Sequence, residues 1–380
     1  MRDISGNPPP KTTSSPGKVV GSDESRFDKD DYRFTTLEPN RVFMEDGQMD
    51  EDQWSQLAIS LGMPTREMNT PSTEAKRFAQ KVKQRKKDPN TRIDDLLGML
   101  LLPLCKAHDK IDFTTDTPFW REAIPQEVTD NDVEQGWSLQ LPTPKPAFTF
   151  GYRSDAFRRR YQDLQNGIVN KDNGEPCNLS QVSQPVPEIY WPFLVIESRP
   201  AASPNAMRSA KYACAGAAAT CNNAIIILSN AAQKPNEYST SPSLQWDTLK
   251  LAQTFSLAVD GRVACLSSHN SQGILPHTMT AVHSYNLEDE IQVQMLCSRL
   301  KSIMIWAENF RLLTIMEVLD RLDRRVHLGV PSKTPLRAEF DDDVWHERFG
   351  REREKRGSLR STFRDKFPSM ARVLRFKVIV

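Results

Sequence analysis

The segment Ile189-Tyr190-Trp191-Pro192-Phe193-Leu194-Val195-Ile196-Glu197 stays apolar until its last residue, and the next regular stretch, Ala206 to Ile227, is dense in alanine and other small side chains. A strand without a polar face has to be covered on both sides. A helix rich in small residues can lie close against a sheet. The two together predict a central strand that ends in a charge, with a helix laid across it. The fold class they imply is α/β (α+β), a central mixed β-sheet flanked by helices.

Other segments fit that frame. Ala147-Phe148-Thr149-Phe150-Gly151-Tyr152 alternates and follows Pro142, Pro144 and Pro146, as a strand entered from a stiff linker does. Phe255 to Val259 and Val263 to Leu266 flank Asp260-Gly261, a two-residue hairpin signal that predicts antiparallel pairing. Asp94 to Leu104 reads as a buried helix ending at Pro103, and a long amphipathic helix is predicted from Leu287, with a second ending near Leu322. The polar stretch from Arg158 to Gln184 reads as an insertion, and no internal repeat is present.

Composition sets the ends apart. Mean hydropathy is −0.56 and prolines number 26, and residues 1 to 30 hold almost no large apolar side chains, so they are expected to be disordered. Residues 31–125 read as a mostly helical N-terminal extension packing on the core, and within it Tyr32 to Met63 reads as a docking arm and short helix. The core domain is placed at 126–325. Residues 326–380 form a basic tail: from His346 onward eleven Lys or Arg stand against four Asp or Glu. A second basic run, Lys81-Val82-Lys83-Gln84-Arg85-Lys86-Lys87, lies on a helix beginning near Glu74 and offers Lys81, Lys83, Arg85, Lys86 and Lys87 as nucleic-acid contacts, a nuclear import signal or a solvated face. The whole chain carries only +1, which argues against a generally basic nucleic-acid binder.

The N-terminus lacks an apolar signal region, and no run approaches the roughly 18 to 20 uncharged apolar residues of a membrane span. The expectation is an intracellular protein, nuclear or cytoplasmic, with no membrane association. Six cysteines show no CxxC pair, so neither a zinc site nor a disulfide framework is read. Cys214 and Cys221 are expected to be buried thiols.

The chemistry-bearing unit is the end of the central strand. Residues two apart on a strand project to one face, so Glu197 and Arg199 share a pocket. An aspartate on the neighbouring strand would complete a two-carboxylate Mg²⁺ site. None of the six histidines sits in a hydrolase or metallopeptidase context, and there is no Walker loop and no GxGxxG.

At these residues the chain resembles the fungal branch of the PD-(D/E)XK restriction-endonuclease-like proteins. The pieces are Pro144 to Tyr152, where the family has Pro-Asp before an aromatic-Gly-Tyr strand; Trp191 to Arg199, where it has Phe-Leu-(Val)-Glu-x-Lys; Ala210 to Cys221; Phe255 to Gly261; and Ile305 to Leu312 with Ile315 and Val318-Leu319-Asp320. The resemblance implies a core of αβββαβ type. The departures are as informative. Ala147 stands where the metal-binding Asp belongs, Arg199 where the Lys belongs, and Ala213 where relatives often carry Gln. Only Glu197 remains, with Asp155 and Glu188 as candidates for a relocated acid.

The reading is therefore a pseudo-nuclease with no resident cofactor, binding nucleic acid or a protein partner. The alternatives are an active Mg²⁺-dependent nuclease that uses Glu197 with a relocated carboxylate, Asp155 or Glu188, and a protein-interaction module docking through the arm or the tail. Nothing in the sequence fixes an oligomeric state.

Overall fold

The computed structural model describes residues 27, 29, 31–65, 70–85, 92–125, 133, 139–170, 176–200, 205–232, 251–271 and 277–329. Nearly all of the expected disordered stretch 1–30, Lys86 and Lys87, and the basic tail beyond 329 lie outside these residues. The chain divides between Leu328 and Gly329, and the strands among the described residues all lie in the first unit.

A mixed seven-stranded sheet runs through this unit. In chain order the strands are β1 (Val42–Gln48), β2 (Ile111–Thr115), β3 (Phe148–Tyr152), β6 (Tyr190–Ser198), β7 (Gln253–Val259), β8 (Val263–Ser271) and β9 (His277–Asn286), with a small β4 (Ile168–Asn170) and β5 (Pro176–Asn178) hairpin apart. The spatial order is β1-β9-β8-β7-β6-β3-β2. β6–β7 and β1–β9 are parallel and the other pairs antiparallel. The Asp260-Gly261 turn joins β7 to β8 as its sequence predicts, with Gly261 at φ 98° and the Asp260 carboxylate accepting from the Arg262 and Val263 amides. The fold is thus α+β, a mixed sheet with helices on both faces.

The helices are α1 (Glu51–Leu61), α2 (Thr73–Arg85), α3 (Ile93–Lys106), α4 (Arg159–Gln165), α5 (Leu179–Ser183), α6 (Ala206–Ala232), α7 (Glu290–Trp306) and α8 (Leu312–Gly329). α1 opens on a capping box in which Asp50 and Gln53 exchange side-chain and backbone bonds. α6 covers one face, where Ala217, Ala218 and Cys221 pack on Val195. α1, α2, α3, α7 and α8 close the other over Phe150, Phe193, Phe255 and Leu257.

Three expectations are corrected. The 31–125 segment is not only a helical extension: it supplies β1 and β2 to the sheet, so a boundary at 126 cuts through paired strands. α3 does not stop at Pro103 but runs to Lys106. A proline in the last turn forfeits a single amide bond there, and Leu100, Leu101 and Cys105 bury the face that holds the turn down. Finally, α6 is long and apolar enough to cross a membrane by length and composition, yet 83% of its apolar window is buried inside the fold.

β6 carries an irregularity that the rest of the core is built to hold. Phe150 pairs with Leu194 but Tyr152 pairs with Tyr190, so β6 spends two more residues than β3 over that stretch. Trp191 sits at φ 47°, and Pro192 has no amide to give. Opposite the bulge a side chain at Gly151 would meet the Tyr190 carbonyl and Ile189 at 2.6 Å, which explains the glycine. A π-helical turn, Ala307–Arg311, between α7 and α8 brings Arg311 beneath the bulge. Its guanidinium donates to the Trp191 and Pro192 carbonyls at 2.8 and 3.2 Å and lies against Tyr152, Phe193 and Trp306. Arg311→Met keeps the bulk but strands two buried carbonyls. It is expected to cost about 3 kcal/mol or more, read as a lowered urea midpoint at unchanged slope.

Candidate functional site

The register of β3 on β6 decides what meets at the sheet's end. Phe148 pairs with Ile196 as the last pair of the ladder, and the next residue on each side, Ala147 and Glu197, lines one cavity. Directly opposed residues of an antiparallel pair hold their Cβ atoms about 5 Å apart. A cavity of about 720 Å³ opens here, lined by Ala147, Glu197 and Arg199, by Ala213 and Gly216 of α6, and by Lys145. The other layer brings Arg85 from the end of α2, and Arg92 and Asp94 from the start of α3. Asp116, just past β2 at φ 49°, completes the rim.

Glu197 is 5% exposed, so its charge needs compensation. Arg199 supplies it at 4.0 Å, and the same guanidinium lies 5.6 Å from the centre of the Phe27 ring. The Arg199 amide donates to the Val259 carbonyl at 2.8 Å, which ties the end of β6 to β7. Asp94 accepts from the Ser198 hydroxyl and pairs with Arg92 at 2.8 Å. Arg85 makes one long contact, 3.5 Å, to the Gly261 carbonyl. Burial pushes the Cys214 thiol up, and the nearby Glu197 charge acts in the same direction. Cys221, also buried as expected, is pushed up to about 12.

The structure therefore brings Ala147, Glu197, Arg199 and Ala213 into one cleft, and adds Arg85 from the basic run. Lys83 falls on the opposite side of α2 from Arg85, because two residues along a helix turn by about 200°. Asp155 and Glu188 are not at this cleft. Asp155 lies past the Tyr152 end of β3, gripped by Arg153 at 3.0 and 3.1 Å, on a separate cavity beside His108, Asp109 and Asp112. Glu188 precedes β6, roughly 25–30 Å of strand away from Glu197. The carboxylates that line the same cavity as Glu197 are Asp94 and Asp116. No spacing rule links either to Glu197, since they arrive from α3 and β2 far upstream.

The two positions that the resemblance pairs, 147 and 197, supply one side-chain carboxylate rather than two. Ala147 offers no oxygen, Glu197 faces a guanidinium, and among the described residues no group of three or more His, Cys, Asp or Glu is arranged to hold a metal.

Sequence reasoning also missed a buried pair, Ser256 and His269, whose Oγ and Nε2 lie 2.7 Å apart between β7 and β8. Both are essentially inaccessible, so no substrate reaches them. Asn222 of α6 donates to the His269 carbonyl and accepts from Thr254, making the group a polar pin between helix and sheet. Part of the arm expected to dock a partner packs on the chain itself, where Tyr32, Leu37 and Val42 meet Tyr212 and Ala215 of α6, while Phe34 and Ile59 stay exposed.

Among known families, a domain of unknown function, DUF7924, matches residues 77–319. No curated protein matches the chain.

Two measurements test this geometry. Ala147→Asp places a second carboxylate opposite Glu197 within reach of one cation with bonds of about 2.1 Å. The variant is expected to bind Mn²⁺ in calorimetry with a stronger signal than the parent, and an unchanged titration would separate the two positions. Burial holds His269 at about 3, with His277 adding to the effect, and holds His277 at about 4. The unfolded chain takes up these protons near pH 6.5, so it binds more of them in the window between. Stability is fully present above about pH 6.5 and falls as pH drops toward 4. Urea midpoints should follow that profile, and His277→Gln should flatten it.

Proposed function

The chain belongs to the DUF7924 family, and from the cleft that its matched segment builds we propose that it is a catalytically degenerate nuclease-like protein that binds nucleic acid without cutting it. The observation that carries this reading is the juxtaposition of Ala147 with the Glu197–Arg199 pair in a cleft that also receives Arg85 from the basic helix. The order of elements supports it as well. With the α4–β4–β5–α5 stretch set aside as an insertion between β3 and β6, the elements α3, β2, β3, β6, α6 and β7 come in the order helix, three antiparallel strands, helix and parallel strand, the αβββαβ order the resemblance implies.

The chemistry follows from the residues present. Hydrolysis of a phosphodiester needs an activated water and stabilisation of the charge that builds on the phosphoryl oxygens. Glu197, held by Arg199, is poorly placed as a base. A guanidinium stays protonated at every working pH. The cleft can hold a phosphate by charge and hydrogen bonds but lacks the group that would turn water into a nucleophile.

All six cysteines are free thiols and five are buried, which agrees with work in a reducing compartment, nuclear or cytoplasmic.

The test is a pair of assays on the full chain. Fluorescence anisotropy is expected to show nucleic-acid binding that weakens steeply with salt, and a plasmid incubated with the protein under Mg²⁺ or Mn²⁺ is expected to stay intact. Metal-dependent cutting that disappears in Glu197→Ala would instead establish an active nuclease, and loss of that cutting in Asp94→Asn or Asp116→Asn would name its second acid. Absence of binding to DNA and RNA at low salt would remove the nucleic-acid reading altogether.

A further inference from the structure

We propose that the ligand is a single strand whose phosphate backbone enters the cleft at Arg85 and runs out along one side of α2 over Lys81 and Arg77. The inference rests on the nucleic-acid reading above and names the form of nucleic acid and its path.

Three observations carry it. First, Arg77, Lys81 and Arg85 are spaced four apart on one helix. Four residues advance the chain by about 6 Å and turn it little more than once around, so the three cations form a single row. Its step matches the separation of neighbouring phosphates in an extended strand. The apolar positions Ala75, Phe78, Ala79 and Val82 face inward, and Lys81 reaches across to the Met99 sulfur at 3.3 Å, which places the row on the side of α2 that faces α3 and leads to the cleft.

Second, charge in the cleft is arranged to leave cations over. Glu197 is engaged by Arg199, and Asp94 by Arg92 and Ser198. Arg85 and Lys145 have no ion pair among the described residues, and both line the cavity. Together with Lys81 and Arg77 they form a run of cations that ends at Arg199, with Asp116 the remaining acid on the rim.

Third, size excludes a duplex from the cleft. A space of about 720 Å³ is on the scale of a nucleotide or two, whereas a duplex is broader than its own major groove of roughly 12 Å. A single row of cations also contacts one backbone rather than two.

The experiment is a salt series of anisotropy titrations of the full chain with a short fluorescein-labelled oligothymidylate and with a hairpin duplex of comparable length. The double variant Arg77→Gln, Lys81→Gln keeps the aliphatic stems and removes two charges. Lys83→Gln on the far side of the helix is the comparator, and circular dichroism melts check that all fold alike. The parent is expected to bind the single strand roughly tenfold more tightly than the hairpin, and the double variant should lower the magnitude of the salt slope by about 1.4 while Lys83→Gln leaves it near the parent's. Equal affinity for the hairpin overturns the single-strand assignment while nucleic-acid binding stands. A slope unchanged in the double variant, with the oligothymidylate still bound, overturns the path. Failure of the parent to bind either probe overturns the reading on which both rest.

Discussion

A buried guanidinium holds the strand that builds the cleft. Arg311 lies 2% exposed beneath β6 and gives its N–H groups to the carbonyls of Trp191 and Pro192. Those carbonyls belong to a bulge in which β6 uses two residues more than β3. Without a donor from below they would sit unpaired in the interior, and a strand slipping to relieve them would re-aim every side chain beyond the slip. The register at the far end, Phe148 against Ile196, is what sets Ala147 against Glu197. The Tyr152 hydroxyl, donating to the Ala307 carbonyl at 2.8 Å, ties the π-turn that carries Arg311 to the same strand pair.

The small residues of α6 serve two purposes. Ala217 and Ala218 let the helix approach β6, and Ala213, one turn before Ala217, and Gly216, the residue just before it, leave the cleft open. Larger side chains at these positions would fill the space above Glu197. Tyr212 works against the other neighbour: it stacks on Tyr32 with ring centres 5.5 Å apart, and Tyr32 lies 5.1 Å from Phe27. The segment before β1 is therefore part of the wall beside Arg199.

Much of this was legible because it is local. The apolar run of β6, the small-residue helix after it and the Asp260-Gly261 turn each carry their signal in a few consecutive residues. The meeting of Ala147, Glu197 and Arg199 in one cleft follows from strand geometry once the two strands pair. β1, β2 and β9 were not legible. β1 reads Val-Phe-Met-Glu-Asp-Gly-Gln and buries only Val42, as an edge strand does. β9 buries His277, Met279, Val282 and Tyr285, and the break in alternation between Met279 and Val282 follows from the bulge against β8. The acids of the cleft were hidden for a different reason. Asp94 and Asp116 come to the same cavity as Glu197 only through the packing of α3 on the sheet and the pairing of β2 with β3, and no sequence interval encodes that meeting. The candidates chosen by proximity along the chain, Asp155 and Glu188, sit at the wrong end of the strands because neighbours in sequence across a strand are separated by its whole length.

The pairing of Glu197 with Arg199 bears on why a degenerate site would keep its glutamate. A carboxylate this buried is tolerated only beside a positive charge. In a metal-dependent site the cation supplies that charge and leaves when the ligands weaken. A covalently attached guanidinium never leaves and needs no second carboxylate opposite, so an alanine at position 147 costs the fold nothing. Lysine in the same place would be a compact ammonium, able to lose its proton in a buried setting; arginine cannot, and its flat face packs on the Phe27 ring as an ammonium would not. Under the proposed function these substitutions are one change rather than two. On that proposal the site exchanges a removable divalent cation for a permanent monovalent one, keeping an attraction for phosphate while giving up the means to polarise water.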